Sequence, residues 1–311
     1  DDDGGFSQYS TNYHRVFLDT MIFAEYWRIE LGLPSFSNLA IEKVREAINW
    51  LFVFTDPISG HTPNLGSNDG AQLLNLHSCD YRDFRPTIQA ANVLFNQEAL
   101  FPKGEWDEPL VWMNIVPKSH PPMHISTKSQ TFEGGYTYIG GRDTWAMIRF
   151  PNFNFRPSHN DIFHFDLWHR GKNIAFDSGT YSYNSQDTDK NLNLKSVHFH
   201  NTVSFDGKEQ MQELSRFLLG NWIEPDFAHG IVKSGNRQIW EGQYTNKYGY
   251  VHHRTVSLED NIWLVEDELH GEFEHAVIGF NVSLGLGTIR EGVVEGSDFR
   301  IILPNNASHK I

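Results

Sequence analysis

One cysteine, Cys79, stands in a chain of 311 residues. That excludes an internal disulfide framework, and it leaves the compartment open, because exported bacterial proteins also do without disulfides. No apolar run reaches the roughly 18 residues of a membrane-spanning helix. Basic residues are scarce beside acidic ones, 25 against 39, for a net charge of −14. A general nucleic-acid binder is excluded on that balance, since phosphate contacts need a basic surface. A polyanionic partner would have to be met by a locally basic cleft. No GxSxG elbow is present, and the glycine pairs of GGYTYIGG and SLGLG are not followed by a helix, so they are not phosphate loops. The opening residues, DDDGGFSQYS, lack the basic region and apolar core of a signal peptide. With the tail NNASHKI they lead us to expect a fragment of a longer chain, which removes any argument against export.

What is present changes character along the chain. From Tyr13 to about Leu31, Leu18, Ile22, Tyr26 and Ile29 recur at helical spacing, and Gly32 and Pro34 stop the pattern. Ser37 or Asn38 can cap a second helix with Ile41, Val44, Ile48, Leu51 and Phe52 on one face. A third helix is expected from Arg85 or Pro86 to Asn96. Residues 101–132 are irregular and Pro-rich, and from Gly134 onward the period becomes two. GGYTYIGG, TWAMIRFP, HFDLWHRGKNIAFDSG, HNTVSFDG, YVHHRTVSL and IWLVEDEL read as short strands, with RGKN and DNIW as hairpin turns. Helices and strands are segregated, which predicts an α domain beside an antiparallel β domain.

The stretch SHNDIFHFDLW (158–168) holds two histidines and two aspartates that core lining does not require. Asp177 follows in FDSGTYSY and His200 in HNTVSFDG. Imidazole and carboxylate ligands gathered from three strands suit zinc, with Asp161 and His198 as supporting partners. Hydrogen-bonded polar residues at a sheet rim fit the same spacing. Tyr13 and His14 follow the capping candidates Ser10, Thr11 and Asn12, so the helix dipole could ease phenolate formation at Tyr13. Arg82 and Arg85 bracket an aspartate in DYRDFRP. They could hold a carboxylate or sulfate, or could pin the loop to the helices.

Taken together, these stretches resemble the heparinase II/III-like polysaccharide lyases and the related alginate lyases. The β-region match, SHxDxxxFxLxxxGxxxxxDxGTYxY followed by HNTVxxDG, is nearly without gaps, and DGGFSQYSTNYHR adds to it. The resemblance implies an α+β multidomain protein: the C-terminal helices of an (α/α) toroid at 1–105, a linker at 106–132 and a β-sandwich at 133–311. It implies a structural Zn2+ on His159, Asp177 and His200, and a periplasmic or secreted location. It places Tyr13 on the family's catalytic tyrosine, with His14 as its modulator and Asn12, Arg82, Arg85 and Tyr181 toward the substrate. Tyr181 and Tyr183 are the next tyrosines to consider for the acid/base role. Two departures stand out. The position of a common family histidine is Pro157, with Arg156 beside it as the replacement cation, and the family's carboxylate-neutralising asparagine lies upstream of this chain.

The implied chemistry is β-elimination on a uronic-acid polysaccharide. Two alternatives remain: a non-catalytic acidic-glycan-binding or capsule-assembly protein, and a glycoside hydrolase, for which Asp69 and Asp83 form the one loop pair to offer.

Overall fold

In the computed structural model the described residues are 1–121, 128–141, 143–180, 183, 193–283, 287–290 (backbone alone), 293–297 and 299–303. Three helices come first: α1 Thr11–Glu30, α2 Asn38–Val53 and α3 Arg85–Asn96. Ser10 and Ser37 are the N-caps, their hydroxyls accepting from the amides of Tyr13 and Ala40. Pro86 sits in the first turn of α3, where its missing N–H costs nothing, and Gln97 in left-handed geometry ends that helix. Leu18, Ile22, Val44, Ile48, Leu51, Ile88 and Ala91 pack between the three. The expected stripe of α1 fades toward its end. Ile29 is 49% exposed, and Glu25, engaged by Arg28, turns inward instead. The stretch expected as a linker carries a short helix, α4 Glu108–Trp112, and the strand β1 Gln130–Phe132.

A five-stranded antiparallel sheet follows in the order β1, β2 Tyr136–Gly140, β3 Thr144–Arg149, β4 Phe165–His169 and β5 Lys172–Ala175. Every residue of β3 is buried, because both faces of this sheet are covered. Tyr136, Tyr138, Trp145, Met147 and Trp168 point to the helices, where they meet Trp50 and Phe54. Ile139, Ala146, Ile148 and Phe165 face the other way, into a second core. Trp145 and Trp168 are register partners and stack with centroids 5.3 Å apart.

That second core is closed by a four-stranded sheet of β9 Pro225–Ser234, β10 Arg237–Thr245, β11 Val251–Glu259 and β12 Ile262–His270, through Trp240, Tyr244, Val256 and Leu258. Between the two sheets in sequence lie β6 Val203–Phe205 and a hairpin of β7 Gln212–Ser215 and β8 Leu218–Gly220. Strand β13 Ala276–Ile278 pairs with β6, and β14 Gly287–Arg290, β15 Val293–Gly296 and β16 Arg300–Ile302 form a last small sheet. Both expected hairpin turns are present, with Arg170 and Gly171, then Asp260 and Asn261, at positive φ. The outcome is α+β with antiparallel sheets. No helix among the described residues is long and apolar enough to cross a membrane.

Candidate functional site

The site forms where the start of α1, the loop at 63–69 and the strand ends of the first sheet meet. Thr11 and Ser10 fasten the loop: Thr11 donates to the Pro63 and Leu65 carbonyls and Ser10 Oγ to that of Ser67. Gly66 has a φ of +72°, and a Cβ there would lie 2.0 Å from the Tyr9 carbonyl oxygen, so the loop can approach α1 only as glycine. On its far side, Thr180 Oγ1 donates to the Gly66 carbonyl. The Tyr9 hydroxyl accepts from the amides of Asn154 and Phe155, which holds the segment carrying Arg156 against the same corner.

These contacts frame a cleft of about 190 Å³, lined by Gln8, Tyr13, Ser67, Arg156, Ser158, Tyr183 and Phe217. The hydroxyls of Tyr13 and Tyr183 are 3.1 Å apart. Burial, the Tyr183 hydroxyl and nearby Asp69 push the Tyr13 pKa well above the ordinary tyrosine value. The helix dipole was expected to act in the opposite sense. It acts at the backbone of the first turn and is worth only about 0.3–1 kcal/mol, whereas the hydroxyl lies beyond it, beside Tyr183 and an acid.

Beneath the cleft, His159, Asp177 and His200 are fully buried, and one ligand atom from each lies within 4.8 Å of the others. The tautomers follow from the hydrogen bonds. The Thr180 hydroxyl gives its proton to Gly66, so at 3.2 Å it accepts from His159 Nε2. His200 Nδ1 faces Asp177 Oδ2 at 3.2 Å and donates to it. His159 Nδ1 and His200 Nε2 are left buried without partners. Unmet buried nitrogens are costly, and two of them beside a carboxylate form a donor set suited to a divalent cation. Burial and neighbouring His200 push His159 down to about 3, so its lone pair stays available. Burial alone would raise Asp177, but His200 and His164 outweigh it and hold the carboxylate below its usual range.

The ligands do not come from three strands, as the spacing suggested. Phe163 at positive φ breaks the extended chain, β4 begins only at Phe165, and residues 197–199 form a 3-10 turn. His198 is exposed. The support comes from His164 and Asp166. His164 Nδ1 accepts the Asn201 amide, so its Nε2 proton points between Asp166 and Asp177, 3.6 Å from an oxygen of each. Asp166 also accepts from Trp168 Nε1 and from the Asp177 amide.

The remaining expected residues are placed elsewhere. His14 turns into the core, where its Nε2 bonds the Ala47 carbonyl and its ring stacks on Trp50; it does not reach the Tyr13 hydroxyl as a modulator must. Asn12 is buried, its Oδ1 accepting from Arg15 and Tyr81. Arg85 grips both oxygens of Asp83 and lies over Trp106, while Arg82 is exposed. Arg85, which also donates to the Ile58 carbonyl, pins the loop. Tyr181 lies outside the described residues.

The family model described as heparinase II/III-like, C-terminal, matches residues 129–307, more than half of the chain. The chain belongs to the heparinase II/III-like family. No curated protein matches it. Among solved structures, a heparinase III gene product aligns at a TM-score of 0.68 and 17% identity, covering 94% of this chain and 43% of its own. A second heparinase III structure gives 0.62 and 17%, covering 95% and 44%. Heparan sulfate lyase HepC from Pedobacter heparinus gives 0.57 and 17%, covering 87% and 39%. At such identity the likeness is one of fold, and the chain spans about two-fifths of the length of these heparinase structures.

Sequence reasoning missed Gln8, Ser67, Ser158 and Phe217 in the cleft and His164 with Asp166 beneath it. For the latter pair a signal existed. Both lie in the acid- and histidine-rich stretch that drew notice, but alternation across a presumed strand directed attention to Asp161.

Proposed function

We propose that this heparinase II/III-like chain carries part of the catalytic apparatus of a polysaccharide lyase that cleaves a uronic-acid polymer by β-elimination. The observation that carries this is the Tyr13–Tyr183 hydroxyl pair set in one cleft with Arg156. In the reaction the C5–H bond breaks and its proton passes to a base. The electron pair forms the C4–C5 double bond, the C4–O4 bond breaks, and O4 takes up a proton. The C5 proton leaves only if charge growing on the carboxylate is offset. Arg156 is the cation we assign to that task, and a guanidinium cannot serve as the base. Tyr13, held neutral, is the donor to O4. To act as base it must first release its hydroxyl proton through Tyr183 to solvent; the phenoxide then takes the C5 proton, and the neutral phenol so formed gives that proton to O4. Tyr183 is the partner through which a proton can be exchanged.

We assign a zinc ion, or a similar divalent cation, to His159, Asp177 and His200. When bound it supplies a crosslink between the segment behind Arg156, the end of β5 and the turn before β6, a structural role. The domain proposal is residues 1–105 as the last helices of an (α/α) toroid, 106–132 as a linker that carries α4 and ends in the first strand of the sheet, and 133–311 as a β-sandwich. Two sheets sharing one core, with helices on the outer face of the first, support it. A periplasmic or secreted location accords with an acidic polysaccharide as partner.

A non-catalytic acidic-glycan-binding protein on the same scaffold is favoured by Pro157 and by the raised pKa of Tyr13. The hydrolase alternative loses its acid pair, since Asp83 gives both oxygens to Arg85. Incubating the full-length protein with a panel of acidic polysaccharides and following ultraviolet absorbance decides between them. Elimination creates an absorbing unsaturated uronate, and neither hydrolysis nor binding does. No absorbing product from any polymer overturns the lyase proposal.

A further inference from the structure

The β7–β8 hairpin displays an apolar surface that packing does not account for. Leu214, Phe217 and Leu218 are 57%, 41% and 40% exposed, in a hairpin whose two-residue tip is Arg216–Phe217. Such tips ordinarily take Asn, Gly or Asp. The hairpin is also tied in place. Lys195 Nζ donates to Glu213 Oε1 and to the Arg216 carbonyl, both at 2.8 Å, and Asn221 bridges back to Gln212. Phe217 meets Tyr183 in a T-shaped contact, centroids 5.2 Å apart, and lines the cleft with Tyr13 and Arg156. The Arg216 guanidinium lies 5.6 Å from the Phe217 ring.

We propose that Phe217 is the stacking platform of a sugar subsite adjoining the Tyr13–Tyr183 pair. A pyranose has an apolar C–H face, and laying it on an exposed ring removes both from water. The tether through Lys195 keeps the platform preorganised, so little ordering cost falls on binding. The subsite is continuous with the cleft, and in this respect it rests on the proposal that the cleft takes an acidic polysaccharide.

The test uses the full-length protein and calorimetric titration with two probes, an unsulfated hexauronate and a heparin-derived hexasaccharide. Phe217→Ala should raise the Kd of the bound probe about tenfold or more, as truncating an aromatic anchor does, whereas Phe217→Trp should stay near wild type. Lys195→Met should fall between them. If one polymer gives unsaturated product, Phe217→Ala should raise KM while the shape of the kcat pH profile is kept. A Phe217→Ala Kd within about twofold of wild type, or equal losses in the Ala and Trp variants with melting temperatures unchanged, overturns the platform. So does a wild-type protein that binds neither probe. A wild type that binds but makes no unsaturated product defeats the lyase proposal alone, and the binding series still decides the platform.

Discussion

Tyr13 and Tyr183 place their hydroxyl oxygens 3.1 Å apart across 170 residues of sequence, one from the first turn of α1 and one from the segment after β5. Because burial, Tyr183 and Asp69 all disfavour the phenoxide at Tyr13, Tyr13 stands in the free protein as a neutral phenol that shares one hydrogen bond with the Tyr183 hydroxyl.

Removing the Tyr13 hydroxyl should therefore affect chemistry rather than folding. In the full-length enzyme, Tyr13→Phe should lower kcat at least about a hundredfold, the lower end of what a general acid–base group contributes, with the melting temperature nearly unchanged. Steady-state rates on the responsive polymer measure this. Retention of most activity would transfer the acid/base role to Tyr183.

Arg156 should act in both the ground and transition states. Arg156→Ala is expected to raise KM and lower kcat together, because a carboxylate contact is made before and during elimination. An unchanged KM would place the neutralising group elsewhere.

The buried, unpartnered ring nitrogens of His159 and His200 beside Asp177 form a donor set for a cation. Elemental analysis of protein purified without added metal should find close to one divalent ion per chain. Chelation should lower the melting temperature of wild type, and of His200→Ala much less, since that variant has already lost the site. A metal content near zero that resists zinc supplementation removes the assignment.

His14 makes a pH prediction. Burial pushes its pKa down to about 4, against about 6.5 when unfolded. Between those values the unfolded chain binds a proton that the folded chain refuses, so stability is full above the unfolded value and declines as pH falls. One such group contributes a slope of about 1.4 kcal/mol per pH unit. His252, also pushed to about 4 by burial, adds a second. Urea unfolding at several pH values should give a shallower dependence for His14→Gln, which can still donate to Ala47. Identical slopes would mean that His14 does not titrate as its burial requires.

Arg254 couples the four-stranded sheet to the metal region. It pairs with Asp267 through Nε and Nη2, and its Nη1 donates to the Phe163 and Asn201 carbonyls, which flank His164 and His200 in sequence. Arg254→Met leaves Asp267 buried without its cation, at a cost of roughly 3–5 kcal/mol. Chemical denaturation should register that loss, together with weaker metal retention. A loss below about 1 kcal/mol would place this ion pair with ordinary surface pairs.

Local chemistry alone determined much of this protein. The serine caps, Gly32 and the Pro86 start bounded three helices, because capping and φ restriction act within a few residues. The HRGKN and EDNIW turns followed from positive-φ preference, and the order of helices before strands followed from the change of period. His159, Asp177, His200 and Tyr13 were also legible, through a motif whose spacing survives in sequence. Only the tertiary structure decided the rest. Whether β3 faced solvent depended on a second sheet and a helical layer brought from distant segments. His14 and Tyr13 are neighbours in sequence, yet a helix turns successive residues by about 100°. One therefore entered the core against Trp50, while the other reached Tyr183. The partners of the metal ligands, His164 and Asp166, and the tip at Phe217 gain their meaning from contacts made across the chain, which no local pattern encodes.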